Sequence, residues 1–182
     1  MNCYSTSGPS HLTSTTSDDT FSARNVSWCH GAPGMIIFLS VLLRRAPSIN
    51  GPTTLSSSLR HKIITALERG ASVTYARGFL RKGVGLCHGV AGSVFALLAV
   101  FDALPSNTLY FRQAVHLAQV STDYDKLTRR GEMRKPDRRW SLYEGLAGMC
   151  CAWGEILRRF QVGWAQEIGC GMPGFDDLRV DR

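Results

Sequence analysis

Hydrophobic residues along the chain form two alternating kinds of helical segment. Residues 35–45 and 90–104 are apolar on almost every side, whereas residues 59–75 and 110–127 carry their apolar side chains along a single stripe. A helix that is apolar all round is buried, and a helix with one apolar stripe lies at the surface of an assembly. The Gly-rich links between these segments are short, which makes successive helices antiparallel. The pattern therefore predicts inner and outer rings of helices.

A third inner helix is predicted over residues 145–160, and no segment shows the alternation of a β-strand. Residues 1–20 contain ten Ser or Thr and few apolar side chains, a composition that favours disorder. Residues 166–182 have a weaker pattern and are interpreted as a tail. With 182 residues, the chain is expected to form one all-α domain over residues 21–165.

A glycine motif recurs before each inner helix, at spacings of 58 and 56 residues. It reads His-Gly-x-x-Gly from His30 and from His88, and Glu144 replaces the histidine in the third copy. Recurrence at a nearly fixed spacing indicates stacked structural repeats, none of which buries its apolar face alone. Equivalent turns of neighbouring repeats are thus expected to lie side by side.

Two of the repeats carry a cysteine directly before the histidine. Cys29, Cys87 and His88 are ligand types that zinc selects, and two cysteines with one histidine leave the fourth tetrahedral position open. Consecutive side chains on a helix diverge by about 100°, so Cys87 and His88 can share one ion only from the irregular turn before the helix. A zinc site at these three residues is one interpretation, and buried cysteines without a metal are the other.

Charge and composition exclude several classes of protein. The 21 Lys and Arg exceed the 14 Asp and Glu, and basic residues concentrate at residues 126–139 without the interleaved aromatic residues that stack on bases. This segment is interpreted as a solvated loop, and no nucleic-acid partner is expected. No apolar run reaches the roughly 20 residues that cross a bilayer, and the N-terminus lacks the apolar core of a signal peptide. We expect a cytoplasmic protein in which Cys150 and Cys151 are buried as small apolar side chains.

Three stretches, in this order, resemble the lanthionine synthetase C-like (LanC-like) family, and its eukaryotic branch in particular. They are Trp-Cys-His-Gly-Ala-Pro-Gly at residues 28–34, Lys-Gly-Val-Gly-Leu-Cys-His-Gly at 82–89 and Ser-Leu-Tyr-Glu-Gly-Leu-Ala-Gly at 141–148; Arg-Lys-Pro-Asp at 134–137 also fits that branch. The resemblance covers about residues 28–160 and implies an α/α toroid of helical hairpins. Family members have about seven hairpins and this chain about three, so it resembles their C-terminal part and the toroid is expected to be incomplete.

The resemblance also implies a cofactor and a reaction. In such proteins a Zn²⁺ ion is held by two cysteines and a histidine, which correspond here to Cys29, Cys87 and His88. The ion presents the thiol of glutathione or of a cysteine-containing peptide as a thiolate. That thiolate adds to dehydroalanine or dehydrobutyrine residues of peptides or proteins.

Three further residues are candidates for the chemistry around the metal. His30 is a candidate catalytic acid, although a histidine before a helix often only satisfies backbone groups. Lys82 matches a family position near the glutathione site and would bind an anionic substrate, whereas its alternative is a solvated lysine. Glu144 is expected to point into the same central region as the histidines, and its alternative role is to cap the following helix.

The sequence leaves two alternatives to a thiol-adding enzyme open. The histidine and aspartate that the family uses for proton transfer belong to upstream repeats, so the chain is alternatively a truncated, non-catalytic module that binds zinc and glutathione. The other alternative is a structural metal in a helical scaffold, or a different α/α toroid such as a glycosidase. A glycosidase requires two acidic residues across a cleft, and only Glu144 is a candidate.

Overall fold

The computed structural model describes residues 26–46, 55–162 and 171–175. These residues form six α-helices and one 3₁₀ turn, and no strand, which confirms the all-α prediction for this part of the chain. The helices are α1 (Ala32–Arg45), α2 (Ser57–Arg77), α3 (Val90–Ala103), α4 (Leu109–Val120), α5 (Tyr124–Arg129) and α6 (Leu146–Val162). The disorder predicted for residues 1–20 lies outside the described residues.

The helices are arranged in two layers, with α3 at the centre. Twelve of the 14 residues of α3 are buried, because it packs against α1, α2, α4 and α6. The helices α2 and α4 bury only one side, through residues such as Leu67 and Ala114. The inner helices α1, α3 and α6 and the outer helices α2 and α4 are consistent with part of a helical toroid, as the sequence predicts.

The outer helix predicted over residues 110–127 is interrupted. A 3₁₀ turn at Ser121–Asp123 separates α4 from α5. The hydroxyl of Ser121 donates to the carbonyl of Leu117 at 2.8 Å, and that of Thr122 donates to the carbonyl of Gln119 at 2.7 Å. Hydroxyl groups that bond to nearby carbonyls compete with the regular helical ladder, which accounts for the interruption.

The inner helices at the two flanks expose apolar side chains. On α1, Met35 is 59% exposed and Phe38 is 52% exposed, and on α6 Leu157 is 61% exposed. Cys150 lies seven residues before Leu157 on the same face of α6, and it is exposed, while Cys151 is half-buried. The expectation that both cysteines are buried was wrong, because this face of α6 packs against no other described helix. Open faces at both flanks fit an incomplete ring.

The last glycine of each repeat has the same packing role in all three copies. A Cβ atom at Gly34, Gly92 or Gly148 would collide with the carbonyl oxygen of the residue six positions earlier, which is Trp28, Leu86 or Leu142. The missing side chain lets the preceding loop fold back onto the first turn of its helix. The repeated motif therefore fixes the loops in front of α1, α3 and α6 in the same conformation.

Two other observations complete the fold. Residues 171–175, in the segment predicted to be a tail, pack onto the domain and contribute Met172, which is 1% exposed, to the core. No helix among the described residues combines the length and the apolar character that a membrane span requires.

Candidate metal centre

The loops in front of the three inner helices lie side by side and are joined through their backbones. The N–H of Trp28 donates to the carbonyl of Cys87 at 3.0 Å, and the N–H of Cys87 donates to the carbonyl of Tyr143 at 2.8 Å. The loop before α3 is thus bonded to both neighbours. Equivalent turns are adjacent, as the spacing of the repeats predicts.

This arrangement brings three ligand atoms together. One ligand atom from each of Cys29, Cys87 and His88 lies within 4.8 Å of the other two, and the Sγ atom of Cys29 is 3.6 Å from Nδ1 of His88. A tetrahedral zinc ion with bonds of about 2.3 Å to sulfur and about 2.05 Å to nitrogen sets its ligand atoms roughly 3.5–3.8 Å apart. The three residues therefore fit the ion with small adjustments. No second group of three His, Cys, Asp or Glu side chains comes together in the described part of the chain.

The site opens to solvent on the side of Cys29. The side chain of Cys29 is exposed, whereas Cys87 and His88 are half-buried. Cys29 also donates from its thiol to the carbonyl of Cys87 at 3.7 Å, which holds the two cysteines together without a metal. Three protein ligands with one open side match a metal site that accepts an exogenous ligand, rather than a closed structural site.

The surroundings of Cys87 disfavour its thiolate unless a cation is present. Burial, the hydrogen bond and charge of Cys29, and the negative charge of Glu144 raise the pKa of Cys87 to about 12, while the positive charge of Lys82 opposes them. At neutral pH the metal-free thiol is therefore protonated. A divalent cation between the two sulfurs would reverse this balance, because a coordinating thiol is deprotonated outright.

His30 lies at the exposed edge of the site. Its Nδ1 atom is 2.8 Å from the Sγ atom of Cys29, so the two side chains share a hydrogen bond. The imidazole is thus positioned next to a ligand sulfur without belonging to the group of three ligands. It is within reach of the open side of the site.

Lys82 and Glu144 both lie near the thiol of Cys87. Both charges act on the thiol of Cys87 and in opposite directions, so both side chains are near the site. Lys82 is exposed and Glu144 is half-buried. The backbone of Glu144 packs directly against Gly85, where an added Cβ would come within 2.6 Å of the Glu144 Cα atom.

Sequence reasoning missed the residues that hold the Cys87 loop in place. Trp28 and Tyr143 do so through backbone groups, and their rings contact the segment at residues 171–175. A weak signal was available, since both aromatic residues lie close to the His or Glu of a repeat: Trp28 is two positions before His30, and Tyr143 is directly before Glu144. Phe175, which completes the aromatic cluster, lies far from the motifs in sequence and carries no such signal.

Comparison with known proteins places these motifs in one family. The sequence profile described as "Lanthionine synthetase C-like protein" matches residues 9–160. The chain is 33% identical over 133 residues to the zebrafish (Danio rerio) protein named "Glutathione S-transferase LANCL1", covering 73% of this chain. It is 30% identical over 133 residues to "LanC-like protein GCL1" of Arabidopsis thaliana, covering 72% of this chain.

The matches cover only part of the relatives. The aligned region amounts to 29% of the zebrafish protein and 28% of the Arabidopsis protein. The chain thus spans less than a third of the length of these two relatives. The profile match also begins at residue 9, within the segment whose composition predicts disorder.

Proposed function

The chain belongs to the lanthionine synthetase C-like family, and from this premise we propose that it binds zinc through Cys29, Cys87 and His88 and adds thiols to dehydrated serine or threonine residues. The observation that carries the proposal is the approach of the three ligand atoms to within 4.8 Å of one another on the open side of the domain. The thiol donor is glutathione or a cysteine-containing peptide, and the acceptor is a dehydroalanine or dehydrobutyrine residue. The name of the zebrafish relative supports glutathione as one donor.

The three ligands define the chemistry of the site. A zinc ion in this position would lower the pKa of an incoming thiol so that it is available as thiolate at neutral pH, where a free thiol with a pKa near 8.5 is mostly protonated. Cys29, Cys87 and His88 would supply three of the four ligands of such an ion, and the exposed side near Cys29 would admit the substrate sulfur.

Addition of the thiolate requires one proton at carbon, which balances the proton that the thiol loses when it becomes a thiolate. A sulfur–carbon bond forms at the β-carbon of the dehydroamino acid, the carbon–carbon π bond breaks, and its electron pair is protonated at the α-carbon. His30 is the candidate acid, because its ring lies beside the ligand sulfur at the exposed edge of the site. Lys82 would attract a carboxylate of glutathione, and Glu144 would accept a hydrogen bond from its ammonium or amide groups; the charge of each acts on the Cys87 thiol, which supports a place for both near the site.

Metal content tests the first step of this proposal. We expect about one zinc ion per wild-type chain and a large loss in Cys87→Ala. Cys150→Ala is the matched control, because Cys150 is an exposed cysteine on α6 outside the ligand group and should leave the zinc content unchanged. Equal zinc content in wild type and Cys87→Ala would contradict the proposed metal site.

A non-catalytic zinc-binding and glutathione-binding module is the second candidate function. It requires only the ligand group of Cys29, Cys87 and His88, whereas the enzyme also requires a proton donor, for which His30 is the candidate among the described residues. The two functions differ in one assay, which follows glutathione addition to a dehydroalanine peptide by mass spectrometry. A rate above background that is lost in Cys87→Ala supports the enzyme, and zinc binding without such a rate supports the module.

A further inference from the structure

A short segment near the C-terminus packs beside the candidate metal centre. This segment, residues 171–175, is called the strap here. Met172 anchors it in the core with 1% of its surface exposed. The ring of Phe175 meets the ring of Trp28 edge-on with their centroids 5.8 Å apart, and the hydroxyl of Tyr143 donates to the carbonyl of Pro173 at 3.4 Å. The strap therefore contacts the loop before α1 and the loop before α6 together.

Trp28 and Tyr143 are the same two residues that hold Cys87 by its backbone. Trp28 donates its N–H to the carbonyl of Cys87, and Tyr143 accepts the N–H of Cys87. The Trp28 and Tyr143 rings also lie next to each other, with their centroids 6.2 Å apart. Two residues thus hold the backbone of Cys87, one at its carbonyl and one at its N–H. The side chains of the same two residues contact the strap.

The strap fits closely against Tyr143. Gly174 has a φ of +76°, and a Cβ atom there would lie 2.7 Å from the Tyr143 hydroxyl oxygen. A side chain at position 174 would thus be strained by its backbone conformation and would also push against the tyrosine. Alanine at position 174 would therefore require the hydroxyl end of Tyr143, or the strap itself, to shift.

We infer that the strap is a positioning element for the metal ligand Cys87, in addition to its contribution to the core. Metal ligands must be held within about 0.2 Å of their bonding distances, so small displacements of a ligand-bearing loop weaken binding. Pushing Tyr143 away moves its carbonyl, which fixes the Cys87 N–H, and shifts the Cys87 sulfur relative to Cys29 and His88. This inference rests on the proposed zinc site, and it assigns the control of metal affinity to a segment that contains none of the ligands.

The test uses two glycines with almost the same φ angle. Gly174 has φ +76° with the Tyr143 hydroxyl close by, and Gly131 has φ +72° with no atom within 4 Å of where an added Cβ atom would lie. Alanine at either position carries a similar penalty for its left-handed backbone. Only Gly174→Ala also pushes on the tyrosine, so Gly131→Ala is the matched control.

Metal affinity is measured on the full chain by zinc competition with a chromophoric chelator, and by the thiolate-to-metal absorption of the Co²⁺-substituted protein. We expect Gly174→Ala to bind zinc about tenfold more weakly and to alter the Co²⁺ spectrum, as mutations of residues that orient metal ligands do. Gly131→Ala should bind as the wild type does. Equal affinities and spectra for the two variants would overturn the inference.

A rescue experiment separates positioning from a general loss of stability. Tyr143→Phe removes the oxygen atom that an added methyl group at position 174 would strike, so the double variant Gly174→Ala/Tyr143→Phe should regain most of the zinc affinity of Tyr143→Phe alone. The backbone strain at position 174 persists in the double variant and by itself predicts no such recovery, so the absence of recovery would contradict the inference.

A variant that removes a contact, rather than adding one, provides an independent check. Phe175→Ala deletes the edge contact with Trp28 and should weaken zinc binding, whereas Phe38→Ala, which truncates a similarly exposed phenylalanine on α1, should not. If wild type binds no zinc, the proposed function and the positioning role fail together. If wild type binds zinc and the strap variants bind it equally well, only the positioning role fails.

Discussion

The guanidinium of Arg159 forms a two-pronged ion pair with the carboxylate of Asp102 and joins α6 to α3. The Nη2–Oδ2 distance is 2.8 Å, and Arg159 also donates from Nε to Glu155 at 2.7 Å. Arg44 approaches the same aspartate from α1 at 3.9 Å. The pair lies near the C-terminal ends of the inner helices, whereas the candidate metal centre lies before their N-termini. Since α3 has 14 residues, about 21 Å of helix separates them.

Removal of Asp102 is expected to destabilise the domain. Burial opposes the charge of Arg159, but its hydrogen bond to Asp102, the charges of Asp102 and Glu155, and the Glu155 hydrogen bond outweigh burial and raise its pKa. The guanidinium therefore stays charged and would lose its main partner in a site that is 5% exposed. We expect Asp102→Ala to lower the free energy of unfolding by about 3 kcal/mol, measured by urea denaturation.

An exposed ion pair gives the control for this prediction. Asp125 pairs with Arg129 at 3.1 Å, but the two side chains are 80% and 70% exposed. We expect Asp125→Ala to change the free energy of unfolding by less than about 0.5 kcal/mol. Similar losses of unfolding free energy in Asp102→Ala and Asp125→Ala would show that the Arg159–Asp102 pair contributes no more to stability than the exposed pair does.

The thiol of Cys87 is expected to react slowly in the metal-free protein. Burial and the neighbouring Cys29 and Glu144 raise its pKa from 9.0 to about 12, and only the thiolate is nucleophilic. The thiolate fraction at neutral pH falls by roughly 10³-fold for a shift of this size. Alkylation by iodoacetamide at Cys87, followed by peptide mass spectrometry, should be slower by about that factor than at an unshifted thiol.

The pH dependence of this reaction follows from the sign of the shift. Because the pKa is raised, the Cys87 thiolate fraction should keep rising about tenfold per pH unit above pH 9, where an unshifted thiol levels off. Free N-acetylcysteine in the same sample gives the internal comparison. A rate for Cys87 that levels off near pH 9 would contradict the prediction.

A side chain at Gly85 is expected to damage both the fold and the metal centre. An added Cβ would lie 2.5 Å from the Tyr143 carbonyl oxygen and 2.6 Å from the Glu144 Cα atom, so backbone would have to move. We expect Gly85→Ala to cost more than about 2 kcal/mol of stability and to reduce the zinc content. Thermal unfolding and metal analysis of the same preparation measure the two effects.

Gly154 provides the opposite case on α6. No atom lies within 4 Å of a Cβ atom there, and the residue is in the interior of a helix. Alanine is favoured over glycine in such a position, so Gly154→Ala should stabilise the domain by about 0.5–1 kcal/mol without changing the zinc content. A loss of stability in Gly154→Ala would mean that the open face of α6 is covered in solution.

Chelation should destabilise the wild-type chain and leave Cys87→Ala unaffected. A metal that binds only the folded state adds stability that grows with its concentration relative to the dissociation constant, and at 100 times that constant the gain is about 2.7 kcal/mol. We therefore expect EDTA to lower the unfolding temperature of the zinc-loaded wild type by several degrees. Equal shifts in both proteins would place the bound metal elsewhere.

Much of the architecture could be predicted from the sequence because it depends on local pattern. The continuous apolar character of α3 predicts a central helix, and the repeated glycines predict equivalent loops. The interruption at Ser121 could not be predicted from the hydrophobic periodicity, because Ser and Thr occur both within continuous helices and at interruptions. The exposure of Cys150 depends on whether another helix covers α6, which its own sequence does not specify.

The sequence by itself determined the helical repeats, the family and the three residues that make up the candidate ligand group. These follow from residue types at fixed spacings, which are properties of the chain before it folds. Only the tertiary structure decided that Trp28 and Tyr143 hold Cys87 through backbone groups, that Phe175 reaches them, and that Arg159 meets Asp102. Backbone hydrogen bonds use atoms that every residue has, and contacts between segments far apart in the chain form through packing, so neither leaves a local pattern in the sequence.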